Sequence, residues 1–142
     1  MKNIFLDTSS IVKVYHKEND SEKILKILSY NTEKIFLSEI TKIEFISALW
    51  RKARMQEANE MEVKSVLRFF ETDYSKYNWV ILDSEIINSA KNLLNKYGKS
   101  GLKTLDSIQL SCAVSLKNIA SEFHTSDKLL KNIFINEGLN AL

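Results

Sequence analysis

Short apolar segments that each end at a polar residue alternate with helical patterns along this chain, and this alternation constrains its fold most. Four such segments are predicted to be buried strands, spanning residues 3–7, 34–38, 79–82 and 122–125. Residues 139–142 could add a fifth strand at the sheet edge. Strands that alternate with helices form a parallel sheet with helices on both faces. The sequence therefore predicts an α/β fold whose ligands bind beyond the carboxyl ends of the strands.

Helical periodicity and capping residues predict helices between these strands. The predicted helices span residues 8–17, 39–55, 59–73, 84–97, 104–117 and 126–136, and a further one begins at Asp20 or Ser21 and includes residues 24–28. Asn59 with Glu62 three residues later is typical of a capping box. Proline is absent and glycine occurs three times, so no segment is typical of a linker. We expect one domain over residues 1–142, a natural length for a single unit.

The charge balance excludes several classes of protein. The chain has 20 Lys and Arg residues against 18 Asp and Glu residues, and 44% of its residues are hydrophobic. This apolar content is too high for a disordered chain, and the net charge of +2 is too low for a polybasic tail. The single cysteine, Cys112, excludes an intrachain disulfide. With no apolar run long enough for a membrane span and no signal-peptide pattern, we expect a cytoplasmic protein with no membrane partner.

Three aspartates lie where a parallel sheet would place a site. Asp7 ends the first predicted strand, Asp127 follows the fourth, and Asp106 lies in the first turn of the helix that begins near Thr104. Each could equally be a structural cap, since a carboxylate at a helix N-terminus accepts amide hydrogen bonds and meets the positive end of the helix dipole. For any one of these aspartates alone, capping is a sufficient explanation.

Asp106 fits the capping explanation least well. One side of its helix comprises Leu105, Ile108, Cys112 and Leu116, and the only polar stripe comprises Ser107, Ser111 and Ser115. A helix that is apolar nearly all round is expected to be buried. No Lys or Arg lies on the stripe of Asp106 before Lys117, so a metal ion would satisfy its charge.

Glu44 gives a weaker signal on the long third helix. The apolar side of that helix comprises Ile43, Phe45, Ile46, Leu49, Trp50 and Ala53, and Glu44 lies opposite, in line with Ser47, Ala48 and Arg51. A solvated face is the simpler explanation for Glu44 alone. Together, however, four carboxylates that share one crevice would repel one another unless a cation neutralised them. Ligands that are all oxygen suit Mg²⁺ or Mn²⁺.

Four segments that contain these acids carry a family resemblance. They are Leu6-Asp7-Thr8-Ser9-Ser10, Ile43-Glu44-Phe45 within residues 38–49, Leu105-Asp106-Ser107-Ile108-Gln109, and Thr125-Ser126-Asp127-Lys128. In order and spacing they resemble the four motifs of PIN-domain nucleases, and the chain length matches that of a stand-alone VapC-type toxin. Gln109 is a departure, because the VapC-like proteins closest in pattern often carry His there.

The resemblance implies a three-layer α/β/α sandwich with a mainly parallel, twisted sheet of four to five strands. It implies an endoribonuclease that uses Mg²⁺ or Mn²⁺ and leaves 5′-phosphate and 3′-hydroxyl ends. Asp7, Glu44 and Asp106 would be the main metal ligands, and Asp127 would hold a second ion or orient a water. The implied supporting residues are the hydroxyls of Thr8, Ser9 and Thr125, with Arg51 and Lys52 as candidates for contact with the RNA backbone. For Lys52 we favour a solvated helix charge.

The implied partners are RNA, a VapB-like protein antitoxin and a second copy of the chain in a homodimer. Three alternatives remain open at this stage: an RNA-processing nuclease that is not a toxin, a catalytically silent RNA- or protein-binding module, and a phosphoryl-transfer domain with Asp7 as nucleophile. The last is weakened by Ser9, because haloacid-dehalogenase-like phosphatases carry a second aspartate at that position. We interpret His124 as a structural histidine, and Phe69 and Phe70 as core residues.

If the four acids converge, the low net charge is the sum of a negative site and a positive remainder of the protein. The site would carry −4 without metal, while the remaining 20 basic and 14 acidic residues carry +6. An acidic pocket for cations would then lie in a mildly basic body that can approach phosphate once the cation is bound.

Overall fold

Four parallel strands form the centre of the structure. The computed structural model describes residues 1–142. The strands are β1 (Lys2–Leu6), β2 (Thr32–Ser38), β3 (Asn78–Val80) and β4 (Glu122–His124), in the sheet order β3-β2-β1-β4. Every neighbouring pair is parallel, as the alternating pattern predicted. The carboxyl ends of all four strands therefore meet at one edge of the sheet.

Seven helices cover the sheet. They are α1 (Thr8–Tyr15), α2 (Ser21–Ser29), α3 (Thr41–Arg54), α4 (Glu60–Thr72), α5 (Ser84–Tyr97), α6 (Thr104–Ser115) and α7 (Lys128–Asn136), with short 3₁₀ turns at Tyr74–Lys76 and Gly98–Ser100. The capping box predicted at the start of α4 is present, because Asn59 and Glu62 each accept a backbone hydrogen bond from the other residue. None of these helices has the length and apolar character needed to cross a membrane.

The helices form two layers because β1 alternates its side chains across the sheet. Ile4 and Leu6 pack into a core with residues of α1–α4, whereas Phe5 packs into a second core with residues of α5–α7. All three strand side chains are fully buried. This confirms the predicted three-layer α/β/α architecture.

Several predicted boundaries differ from the structure for local reasons. Residues 139–142 form no fifth strand: Ala141 makes only an isolated bridge to Phe123. The helix predicted from residue 39 begins at Thr41, because the Glu39 amide still donates to Val80 in the neighbouring strand, at 2.9 Å. The last helix begins at Lys128, since Asp127 is its cap.

Helix α6 is buried, as predicted, but by close helix packing rather than by an all-round apolar surface. Two of the three serines of its polar stripe, Ser107 and Ser111, are buried, and Ser111 Oγ donates to the backbone oxygen of Ile86 in α5 at 2.8 Å. Ser115, the third, is exposed. Leu105, predicted to lie on the apolar side, is 48% exposed in the first turn. Cys112 is a buried core residue, as expected.

Candidate active site

The pairing of β1 with β4 brings two predicted motifs together at the carboxyl edge of the sheet. Leu6 pairs with His124 at the end of the two strands, and the Asp7 amide donates to the His124 backbone oxygen at 3.1 Å. Asp7 therefore lies beside the segment that contains Thr125 and Asp127, although the two are far apart in sequence.

Asp7 is the N-cap of α1 and the most enclosed of the four acids. Its Oδ1 accepts hydrogen bonds from the Ser10 amide at 3.0 Å and from Ser9 Oγ at 2.7 Å. Its Oδ2 accepts one from Thr125 Oγ1 at 2.5 Å. Burial raises the pKa of this carboxyl from 3.8 to about 6, against the opposing effect of those hydrogen bonds. The hydroxyls of Ser9 and Thr125 thus both contact Asp7, although Thr125 is distant from it in the sequence.

Asp127 is exposed and also caps a helix. Its Oδ1 accepts from the Leu130 amide of α7 at 2.7 Å, and its own amide donates to Thr125 Oγ1 at 3.1 Å. The Ser126 amide donates to Ser9 Oγ at 3.0 Å, which joins the start of α7 to the start of α1. Thr125 therefore connects Asp7 to Asp127 through one hydroxyl group.

Glu44 faces the site instead of open solvent, so the solvated-face explanation considered for it is wrong. Thr8 Oγ1 donates to Glu44 Oε1 at 2.9 Å, and Gln109 Nε2 donates to the same oxygen at 2.7 Å. Burial raises the pKa of Glu44, and so does the charge of Asp106, while the two hydrogen bonds lower it. The contact of Thr8 agrees with the supporting role expected of its hydroxyl.

Gln109 and Thr41 are residues of this cluster that the sequence reasoning did not assign to the site. Gln109 is 2% exposed, and its Nε2 lies 3.0 Å from each of Thr8 Oγ1 and Thr41 Oγ1 as well as near Glu44. Its Oε1 has no hydrogen-bond partner. One available signal was its position three residues after Asp106, on the same face of α6.

Asp106 lies in the first turn of α6 and is half-buried, not fully enclosed as its helix pattern suggested. Burial raises its pKa, and the charge of Asp127 raises it further, whereas Lys103 lowers it. Lys103 directly precedes the helix, so the search along the helical stripe toward Lys117 did not find this cation. The charge of Asp106 thus acts on the pKa of Glu44, and that of Asp127 on the pKa of Asp106.

None of the four acids forms an ion pair. The salt bridges of the molecule involve other carboxylates throughout. No three Asp, Glu, His or Cys side chains are grouped closely enough to hold one ion by themselves. The acids instead interact pairwise. Thr125 Oγ1 is hydrogen-bonded both to Asp7 and to the Asp127 amide. The charge of Asp127 raises the pKa of Asp106, and the charge of Asp106 raises that of Glu44. The donor set is all oxygen, and Lys103, which lowers the pKa of Asp106, forms no ion pair with it.

A cleft of about 690 Å³ opens beside this cluster, between α1, α3 and the start of α6. Thr8, Ser9 and Glu44 line it together with Arg51, which is exposed as a backbone-contacting residue requires. Ile43 also lines the cleft and is 67% exposed, so the prediction that placed it on the buried side of α3 is wrong. Ile46, 46% exposed, was misplaced in the same way.

Lys52 has a structural role, and both suggestions made for it are wrong. It is neither a solvated helix charge nor an available RNA contact, because it is buried in ion pairs with Glu18 at 2.5 Å and Glu57 at 3.7 Å. A buried ammonium group requires such partners. Arg51 is the neighbouring cation that remains free for a ligand.

The interpretation of the remaining residues is mostly confirmed. His124 is 3% exposed, with Nε2 3.4 Å from Glu122 Oε1, and burial lowers its pKa. It is enclosed as a structural histidine would be. Phe70 is a core residue, but Phe69 is 66% exposed.

Comparison with known proteins identifies what the chain is similar to. A family model, the PIN domain, matches residues 4–133. No curated protein sequence matches the chain. The structure of VapC20 from Mycobacterium tuberculosis, described as a Sarcin-Ricin loop cleaving toxin, superposes with a TM-score of 0.71 at 11% identity, over 92% of this chain and 94% of that chain.

Two further solved structures share the fold over nearly the whole length. FitAcB from Neisseria gonorrhoeae superposes with a TM-score of 0.70 at 15% identity, covering 98% of this chain and 96% of that chain. VapBC-1 from nontypeable Haemophilus influenzae gives a TM-score of 0.67 at 19% identity, covering 99% and 96%. At these identities the likeness establishes the architecture.

Proposed function

From its membership of the PIN-domain family, we propose that this chain is a divalent-metal-dependent endoribonuclease that hydrolyses RNA phosphodiester bonds, and that it is the toxin of a type II toxin–antitoxin pair. The observation that carries the proposal is that none of the four carboxylates near the carboxyl edge of the sheet forms an ion pair. Burial raises the pKa of Asp7, Glu44 and Asp106. Holding such groups ionised together is unfavourable without a cation.

The residues fit Mg²⁺ or Mn²⁺. Asp7, Glu44 and Asp106 would be the main ligands, directly or through water, with Asp127 holding a second ion or a water. Because no three of the groups cluster tightly, water and substrate oxygens would supply the remaining ligands, as is usual for Mg²⁺. When bound, such an ion polarises the phosphate and makes water a stronger nucleophile.

The protein's own groups would hold and orient the reactants. Ser9 and Thr125 fix both oxygens of Asp7, while Thr8 and Gln109 fix Glu44. Arg51 in the cleft would contact a phosphate of the RNA. The enclosure of Asp7, with both oxygens accepting hydrogen bonds, is evidence against the alternative in which it forms a phospho-aspartate.

The partner proposal rests on the neighbours and on the exposed apolar residues of the cleft. One of the similar structures is described as a toxin–antitoxin complex from Klebsiella pneumoniae. Ile43, Met55 and Leu105 are exposed and line the cleft, and exposed apolar patches mark interaction sites. We propose a VapB-like antitoxin and a homodimer in the cytoplasm.

The test is cleavage of total RNA by purified protein in Mn²⁺. Asp106→Asn is the sharpest variant, because Asp106 makes no side-chain hydrogen bond and caps no helix. We expect cleavage to fall at least about 100-fold with folding unchanged. Sequencing of the cut ends should find 5′-phosphates.

The matched control is Asp83→Asn, which removes the charge of another N-cap, that of α5, which is not one of the four proposed ligands. It should cleave as the wild type does. Equal cleavage by the wild type and Asp106→Asn would show that the activity lies elsewhere.

A further inference from the structure

A second, basic pocket adjoins the cleft. It has a volume of about 180 Å³ and lies between α1, α2 and the start of α7. Lys13 and Ser126 line both cavities, and Asp127 lines the basic pocket. A chain that passes over the acids can therefore reach this pocket without leaving the protein surface.

Four lysines surround the pocket with little compensation. They are Lys13, Lys23, Lys128 and Lys131, against the two carboxylates of Asp20 and Asp127. The only ion pair among these groups joins Lys13 to Asp20 at 3.8 Å, and the Asp20 side chain is 73% exposed. Lys23, Lys128 and Lys131 make no ion pair. A concentration of unpaired positive charge in a concave site attracts an anion.

Hydroxyl groups lie in the pocket wall beside the lysines. They belong to Ser10, Thr125 and Ser126. His124 lines the pocket as well, with its buried Nε2 3.4 Å from Glu122 Oε1. Hydroxyl and ammonium groups are the donors from which phosphate oxygens accept hydrogen bonds.

We propose that this pocket binds a phosphate of the RNA strand next to the phosphate that is cleaved. The inference rests on the proposed ribonuclease function and adds a subsite to it. Lysine ammonium groups recognise phosphate as point charges and carry no base specificity. The pocket would hold the strand in position while the acids act on the neighbouring linkage.

The experiment measures RNA binding without cleavage. The probe is a fluorescein-labelled single-stranded RNA of mixed sequence, followed by anisotropy in EDTA over a series of KCl concentrations. The variant is the triple substitution Lys23→Ala, Lys128→Ala and Lys131→Ala. Lys13 is left unchanged because it also lines the cleft. We expect at least a tenfold loss of affinity, and a salt slope smaller by about 0.7, since one phosphate contact is lost and each releases roughly 0.7 counterions from a single strand.

The matched control removes the same charge elsewhere, with Lys64→Ala, Lys91→Ala and Lys99→Ala on the exposed surfaces of α4, α5 and the following turn. It should bind RNA within twofold of the wild type. Both triple variants must retain the wild-type thermal unfolding curve. Equal affinities and equal salt slopes for the two triples would overturn the proposal.

Inorganic phosphate distinguishes a strand phosphate from a free one. If phosphate stabilises the wild type but not the pocket triple, while RNA affinity is the same in both, the pocket serves another phosphate compound and the RNA assignment is wrong. The proposed function fails separately, if the wild type does not cleave RNA in Mn²⁺. RNA binding by the pocket is measured in EDTA, so its outcome does not depend on whether the protein cleaves RNA in Mn²⁺.

Discussion

Asp7 is a residue at which stability and function oppose each other. It is 4% exposed and surrounded by donors, yet burial still raises its pKa to about 6. A carboxylate that is harder to ionise in the folded protein than in the unfolded chain destabilises the fold at neutral pH. A bound cation would offset this penalty, so the loss of stability should be measurable in the metal-free protein.

Asp7→Asn should therefore stabilise the metal-free protein at neutral pH. The folded pKa lies above the ordinary value of 3.8, so the unfolded chain releases its proton first and stability falls as pH rises from 3.8 to about 6. Above that range the penalty is constant, at up to about 3 kcal/mol. Urea unfolding in EDTA should show the variant to be more stable at pH 7.5, with the gain lost near pH 4.

The control for this prediction is Asp83→Asn. Asp83 makes the same kind of cap, accepting from the Ile86 amide at 3.0 Å, but is exposed. It should show little gain at either pH. A less stable Asp7→Asn protein at pH 7.5 would mean that the hydrogen bonds of Asp7 outweigh its burial.

Gln109 positions Glu44 from the side of α6. Its amide lies within hydrogen-bond distance of Thr8, Thr41 and Glu44, and so connects three helices around one carboxylate. It touches neither substrate nor ion in the proposed mechanism. We interpret it as a positioning residue, whose effect should be visible in metal affinity as well as in rate.

Gln109→Leu should raise the Mn²⁺ concentration needed for half-maximal thermal stabilisation by about tenfold. It should also lower the free energy of unfolding by about 1–3 kcal/mol, because Glu44 and two hydroxyls lose a buried donor. Gln109→His, which keeps an N–H donor, should restore much of the Mn²⁺ affinity. Wild-type Mn²⁺ dependence in the Leu variant would exclude the positioning role.

At the scale of elements, two helix caps coincide with two proposed ligands. Asp7 caps α1 and Asp127 caps α7, so the structural explanation and the metal-binding explanation hold together for both. The parallel sheet makes this coincidence natural, because each strand delivers the next helix N-terminus to the same edge. The cap at Asp127 uses one oxygen and leaves the other for a ligand, whereas Thr125 also donates to the second oxygen of Asp7.

The two roles of Asp127 can be separated by a pair of variants. Asp127→Asn keeps an Oδ1 acceptor for the Leu130 amide but loses the charge, so the free energy of unfolding should change by less than about 0.5 kcal/mol. Asp127→Ala loses the cap as well and should cost about 0.5–2 kcal/mol. Both should lose RNA cleavage. Full activity of Asp127→Asn would show that the charge at this position is not needed.

The elements themselves were largely predictable, because apolar runs, capping residues and helical spacing are local signals. The errors lie where a long-range contact decides. The Glu39 amide donates a hydrogen bond to Val80 of the neighbouring strand, so α3 does not begin there. Ile43 is exposed because the cleft lies on its side of α3. Neither relation can be read from the spacing of residues along a helix.

At the scale of the whole molecule, the four acids could be proposed from the sequence because each lies at or near a helix start beside the sheet edge, or within the resembling motifs. The hydrogen-bond cluster around Glu44 was missed, since it joins residues 8, 41 and 109 across three helices. The charge segregation inferred from composition does not appear in the linings of the two cavities. The cleft is lined by three glutamates and four basic residues, and the adjoining pocket by four lysines and two aspartates.

The central claim is that the four carboxylates hold a divalent cation, and the most direct measurement is an anomalous difference map from crystals of the protein soaked in Mn²⁺. The account predicts a peak contacted by oxygens from at least two of Asp7, Glu44, Asp106 and Asp127, which is lost or weakened in crystals of Asp106→Asn. A map with no peak among these acids, or with Mn²⁺ bound only at other carboxylates such as Glu122 or Glu137, would contradict it.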